Sequence, residues 1–229
     1  MEDEGGRSAP VRASVTRALG TLKREGCNVL LVGSEATSAH ETVCRQFLGA
    51  SAAEAPFRLF VRAVGQRETD QASCGPVDES ETDRVQTIEC ASATLDPTTA
   101  SAIGALGIEI VEAIDAFADS AAGGNSDGGL EPASLRVCVD SLGPLLEAYD
   151  AEAVFRLLHV TTTRVDQADG IGHYHLPIAP DHDAVSLLEP LFDAVVTVRT
   201  RDGADEQRWS LQEADAPTDW LAVSAGQRS

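Results

Sequence analysis

Asn28-Val29-Leu30-Leu31-Val32-Gly33-Ser34-Glu35-Ala36-Thr37-Ser38-Ala39-His40 is the stretch on which the fold turns. It opens on a short apolar run ending at Gly33, the pattern of a strand covered on both faces. A loop follows, and then Ser38 and Glu41 stand at the spacing of a capping box. There the serine hydroxyl takes an orphan backbone N–H and the glutamate reaches back. The spacing therefore predicts strand, loop and a helix running to about Leu48.

The same alternation continues outward in both directions. Upstream, Val15, Ala18, Leu19 and Leu22 give Val11 to Glu25 a helical apolar face that Gly26 ends. Downstream, Phe57 to Val64 and Arg84 to Glu89 read as strands on either side of a polar loop, Gln66 to Asp83. Ile103, Leu106, Ile110, Ile114 and Phe117 recur at helical spacing within Thr99 to Ala118, and the glycine-rich Ser120 to Pro132 reads as a surface loop. Then come a strand at Leu135 to Asp140, a helix at Ala151 to Gln167, a strand at Gly172 to Ile178, and a helical segment from Asp183 to Phe192 broken near Pro190. Ala194 to Arg199 and Arg208 to Leu211 finish as strands joined through Asp202-Gly203, a hairpin signal. Strands alternating with helices imply one α/β domain over residues 15–211, with a mostly parallel central sheet, helices on both faces and an antiparallel edge hairpin. Residues 1–14 and 212–229 are expected to be flexible ends. No internal repeat is present.

Charge narrows the function classes. The chain has 229 residues, with 37 acidic against 17 basic and a formal net charge of -20, which opposes binding to nucleic acid or to anionic membrane. Its basic residues are arginines apart from one lysine, Lys23, and aromatics make up 4%. That is a composition suited to molar salt. There the Debye length falls to about 3 Å and an acidic surface no longer repels itself. The start of the chain, Met1-Glu2-Asp3-Glu4, lacks the basic and apolar character of a signal peptide, and no segment has the length of a membrane span, so a cytoplasmic address is expected. Cys27, Cys44, Cys74, Cys90 and Cys138 form no CxxC pair, so neither a zinc site nor a disulfide framework follows from spacing. Cys27 and Cys138 lie at or within apolar runs and are expected in the core.

An apolar strand, a Gly33 loop, a helix, and much later an apolar strand ending in Asp140-Ser141 together resemble the RecA and KaiC-like branch of P-loop ATPases. Asp140-Ser141-Leu142, Leu191 to Arg199 (LFDAVVTVR) and Arg208-Trp209 extend the resemblance over roughly residues 15 to 211. The sequence is similar to a haloarchaeal group with this KaiC-like plan. The resemblance implies a loop that cradles phosphates and an Asp140 that positions magnesium. A working loop, however, reads GxxxxGK[ST], where a lysine neutralises phosphate and a hydroxyl holds the magnesium. Here Ser38, Ala39 and His40 stand at those three positions, and Glu35 adds a negative charge. Glu68 is the one local candidate for the acidic residue that orients the attacking water, but it reads better as a solvated loop carboxylate, and Asp140, without a hydroxyl partner for magnesium, as a cap for the turn after it.

Losing one electrostatic stabiliser commonly costs about 100-fold or more in rate, so hydrolysis is not expected. Gly33, Ser34, Ser38, His40 and Asp140 are then the remnant of a nucleotide site, with residual ATP binding through helix and loop amides the most that it would retain. A second cluster competes. His173 and His175 are two apart in a strand and share a face, and His182 or Asp181 would return after Pro180 to complete a metal site, with His159 or His40 as further ligands. Ser141 has no GxSxG around it and is not a nucleophile candidate. Three functions follow as expectations: a non-catalytic KaiC/RecA-like interaction or regulatory module, working with a protein partner or a second copy; a nucleotide-binding sensor with little or no hydrolysis; and a metal-dependent hydrolase built on His173, His175 and His182.

Overall fold

The structure, a computed structural model, describes residues 25–34, 36–49, 57–64, 84–91, 100–122, 129–140, 142–212, 214 and 216–223. The expected helix before Gly26 (apart from Glu25), the polar loop 66–83 with Glu68, and Glu35, Cys74 and Ser141 lie outside the described residues.

The chain runs β1 (Cys27–Val32), α1 (Thr37–Leu48), β2 (Phe57–Val64), β3 (Val85–Ala91), α2 (Ala100–Ala122), β4 (Leu135–Asp140), α3 (Gly143–Ala148), α4 (Ala151–Gln167), β5 (Ile171–Leu176), α5 (Asp183–Leu188), a 3-10 turn (Glu189–Leu191), β6 (Ala194–Arg201), β7 (Ala204–Leu211) and β8 (Leu221–Ala222). The strands form one 8-stranded sheet in the order β3-β2-β4-β5-β1-β6-β7-β8. Pairings from β3 across to β6 are parallel, and β6-β7 and β7-β8 are antiparallel. This is the expected α/β architecture. The hairpin turns at Asp202 (φ 52) and Gly203 (φ 77), the two successive positive φ values of a type I′ turn.

Three local expectations are corrected. α1 begins at Thr37 behind Ala36, with no side-chain cap, because the Ser38 hydroxyl donates to Asp205 Oδ1 at 3.1 Å across the β6-β7 hairpin. The capping box is therefore absent. α3 follows Leu142, again with no side-chain cap, so Asp140 does not cap it. The chain after Gln212, expected to be loose, returns to the sheet, where Leu221 and Ala222 pair with Gln207 and Glu206 and Trp220 lies over the Arg199 guanidinium at 3.6 Å.

Strand alternation divides the core into two sides. Leu30, Val32, Leu59, Val61, Val137, Val139, Tyr174 and Leu176 point to one face and pack under α2 and α4 through Ile110, Ile114, Val154 and Leu158. Val29, Leu31, Val196 and Val198 point to the other and meet Ala39 and Val43 of α1. Beneath the same helix, Cys44 and Leu48 meet Phe60 and Cys138. α1 is thus the helix that joins the loop after β1 to the middle of the sheet.

Candidate functional site

Gly33 leaves β1 at φ 149, and a Cβ there would run into the Val198 carbonyl oxygen of β6. A glycine is therefore required by strand packing, quite apart from any phosphate. Its backbone is also occupied: Gly33 N–H donates to the Ile178 carbonyl at 3.1 Å, and the Gly33 carbonyl accepts from His40 Nε2 at 2.9 Å. Ser34 is exposed at the mouth of the loop, and Ala39, where a lysine would stand, is fully buried.

His40 is the pivot of this region. A carbonyl oxygen only accepts, so His40 Nε2 carries hydrogen, and in the neutral ring Nδ1 is left as an acceptor. His40 Nδ1 lies 3.2 Å from His175 Nδ1, which must then donate. Burial holds the His40 ring below its ordinary pKa, partly opposed by the Gly33 bond, and keeps it neutral. The residue standing where a magnesium-binding hydroxyl would be instead ties the loop to β5.

Beyond His40 lies a buried polar cluster. β5 turns His173 and His175 to the α1 side, as their two-residue spacing predicts, and the β4-β5 register sets Cys138 beside His173. One helical turn after His40, α1 adds Cys44. Cys44 Sγ is 3.8 Å from Cys138 Sγ and 3.3 Å from His173 Nε2. One donor atom from each of Cys44, Cys138, His173 and His175 lies within 4.8 Å of all the others. Cys44 is disulfide-bonded, and Cys138 carries a thiol. His173 Nδ1 is buried without a hydrogen-bond partner, and the ring stacks on Phe47 at 5.3 Å. Burial lowers His173 to a pKa of about 3, aided by the Arg136 charge, and lowers His175 well below its ordinary range; burial pushes the Cys138 thiol well up.

The expected ligands around His182 do not join this cluster. His182 is exposed, and its Nδ1 accepts from Ala184 N–H to cap α5; Asp181 and His159 are also exposed. Proximity in sequence to His175 misled, because the turn after β5 leads away from the α1 face. Cys44 and Cys138 went unrecognised as partners because 94 residues separate them and only strand order brings them together.

Asp140 ends β4 almost fully buried, opposite Arg62 of β2 in register. Burial raises its carboxyl to about 6, with the Arg62 charge pulling the other way. It sits at the carboxyl end of the parallel strands, where open α/β sheets bind ligands, but β5 stands between it and the Gly33 loop.

This geometry defines an α/β domain with a mostly parallel central sheet and antiparallel edge strands. The KaiC-like protein from the hyperthermophilic archaeon Pyrococcus horikoshii OT3 has a similar structure, with a TM-score of 0.54 at 13% identity, covering 86% of this chain and 85% of that one. Residues 26–198 match the family described as a family of unknown function (DUF7504), and the chain belongs to that family. No curated protein matches it.

Proposed function

We propose that the chain is a non-catalytic KaiC/RecA-like module that acts through interaction or regulation. The observation that supports this most is His40. Its ring bonds the Gly33 carbonyl from inside the loop and the His175 ring beyond it, in the position where a phosphate loop needs a hydroxyl. Ala39 supplies no cation, and Gly33 N–H is already taken by Ile178. Without the lysine and the hydroxyl, neither the phosphate charge nor a magnesium ion has its usual counterpart. The site in which an ATPase spends its binding energy is here used for internal packing. A module of this kind works in the cytoplasm through a protein partner or a second copy of itself, and its -20 charge suits a salt-rich interior.

The test is the melting temperature in molar KCl with and without ATP and magnesium, followed by phosphate release. The expected result is no shift and no turnover. Hydrolysis stoichiometric with the protein or faster sinks the reading. A rise of several degrees without turnover assigns a nucleotide sensor instead, with Asp140 the residue to which the resemblance gives the magnesium role.

A further inference from the structure

We propose that the reduced protein binds one zinc-class divalent ion through Cys44, Cys138, His173 and His175. Three elements converge on the site: α1 brings Cys44, β4 brings Cys138, and β5 brings both histidines. Tetrahedral zinc, with metal–sulfur bonds of about 2.3 Å and metal–nitrogen bonds of about 2.05 Å, sets sulfurs about 3.8 Å apart and sulfur about 3.6 Å from nitrogen. The observed separations are 3.8 Å for Cys44 Sγ to Cys138 Sγ and 3.3 Å for Cys44 Sγ to His173 Nε2. These two separations stand close to the required spacing, and His175 offers a donor atom within 4.8 Å of the other three.

Charge points the same way. Two thiolates and two neutral imidazoles cancel the ion's double charge, so a site with no exposure to water stays neutral overall. His173 faces Cys44 through Nε2, so that nitrogen would take the metal and the ring's hydrogen would stay on the buried Nδ1. His40 becomes a positioning residue: its Nδ1 accepts from His175 Nδ1 and fixes that ring's tautomer, the usual role of an outer partner to a ligating histidine. Phe47, stacked on His173, closes the site on one side. Sulfur and nitrogen donors favour zinc over magnesium or calcium, and four protein ligands leave no open position for substrate, so the ion would be structural.

Reduction is a precondition, because Cys44 is disulfide-bonded. A phosphine attacks the disulfide, the sulfur–sulfur bond breaks, and water supplies oxygen to the phosphine and one proton to each sulfur. The products are two thiols and a phosphine oxide. Zinc then displaces the thiol protons of Cys44 and Cys138, and two protons leave for solvent.

The experiment uses the full chain in molar KCl, stripped with chelator, reduced with a phosphine and titrated with cobalt(II) without oxygen. One cobalt per chain is expected, with the visible bands of a tetrahedral ion and thiolate-to-cobalt charge transfer in the near ultraviolet, both abolished by zinc. Cys138→Ala and His175→Asn should each weaken binding by more than about 100-fold, while Cys90→Ala leaves it unchanged. Absence of those bands on folded, reduced protein overturns the proposal, as does unchanged affinity in Cys138→Ala. Where that variant fails to fold, alkylation of the native protein decides. Zinc should slow the reaction of Cys138 and leave Cys90 unaffected, and equal Cys138 rates with and without zinc overturn the assignment. None of these readings depends on nucleotide.

Discussion

The two sides of one sheet have been put to different uses. Under α2 and α4 the strands present Leu30, Val32, Val137, Val139 and Leu176 to Ile110, Ile114 and Leu158, an aliphatic side in which Tyr174, donating to Asn28 Oδ1, is a polar exception. Under α1 the same strands, shifted by one residue, present Cys138, His173 and His175 to His40 and Cys44. Aliphatic packing is non-directional and tolerates any pH, whereas buried imidazoles demand specific partners and a fixed charge state. The difference teaches that one side is packed almost wholly by aliphatic contacts, while the other sets buried polar groups beside its own apolar contacts to α1, and that the retention of those polar groups calls for a reason beyond packing.

Acid should separate the two sides most strongly. His40, His173 and His175 have folded-state pKa values below 6.5, so the unfolded chain binds more protons than the folded one as pH falls through 6.5. Their stabilising contribution is present above that value and lost below it. His173 alone, lowered from 6.5 to about 3, corresponds to about 5 kcal/mol across the interval. Asp140 acts in the opposite sense between about 6 and its ordinary 3.8, but it is one group against three. Urea unfolding of the metal-free protein in molar KCl should therefore show stability falling by several kcal/mol from about pH 7.5 to about pH 4.5. A flat profile would mean that the α1 side is hydrated and no different from a surface.

Truncation on the aliphatic side comes next in size. Ile114 is fully buried between α2 and the sheet, so Ile114→Ala should cost about 2–5 kcal/mol by lost transfer energy and cavity formation. The loss should not vary with pH, and cobalt uptake by the folded fraction should be unchanged. If the variant also lost metal affinity, the two sides would be coupled through the sheet and the division would fail.

Legibility in the sequence followed the same division. Asn28 to Gly33 and Leu135 to Asp140 could be read because a strand buried on both faces must be apolar almost throughout, and the Ile103 to Phe117 stripe because one helical face meets the core. The His173 and His175 pair was visible through strand periodicity. Their partners were not, because Cys44 and Cys138 reach them only through the placement of β4 beside β5 and of α1 across both, which no local pattern encodes. The capping box failed for a related reason: Ser38 and Glu41 have the right spacing, yet the hairpin carboxylate of Asp205 takes the serine hydroxyl. Local signals held where one neighbour suffices and failed where a distant element competes.

That last failure gives the smallest and sharpest contrast, between the starts of two helices on opposite sides of the sheet. Asp150 caps α4 on the aliphatic side, its carboxylate accepting Ala153 N–H at 2.7 Å. Asp150→Ala should therefore cost about 1 kcal/mol, the usual value of a lost N-cap. Ser38, by its spacing, looks like the equivalent on α1, but its hydroxyl makes an exposed bond to Asp205, which Thr200 also contacts at 2.7 Å. Removing Ser38's share leaves that carboxylate solvated and bonded, so Ser38→Ala should change stability by less than about 0.5 kcal/mol. Urea midpoints of the two variants, measured side by side, decide the matter. Equal losses would restore the capping box to α1, whereas a loss confined to Asp150→Ala would show that α1 is seated by its buried contacts through Ala39, His40, Val43 and Cys44, and not by its first turn.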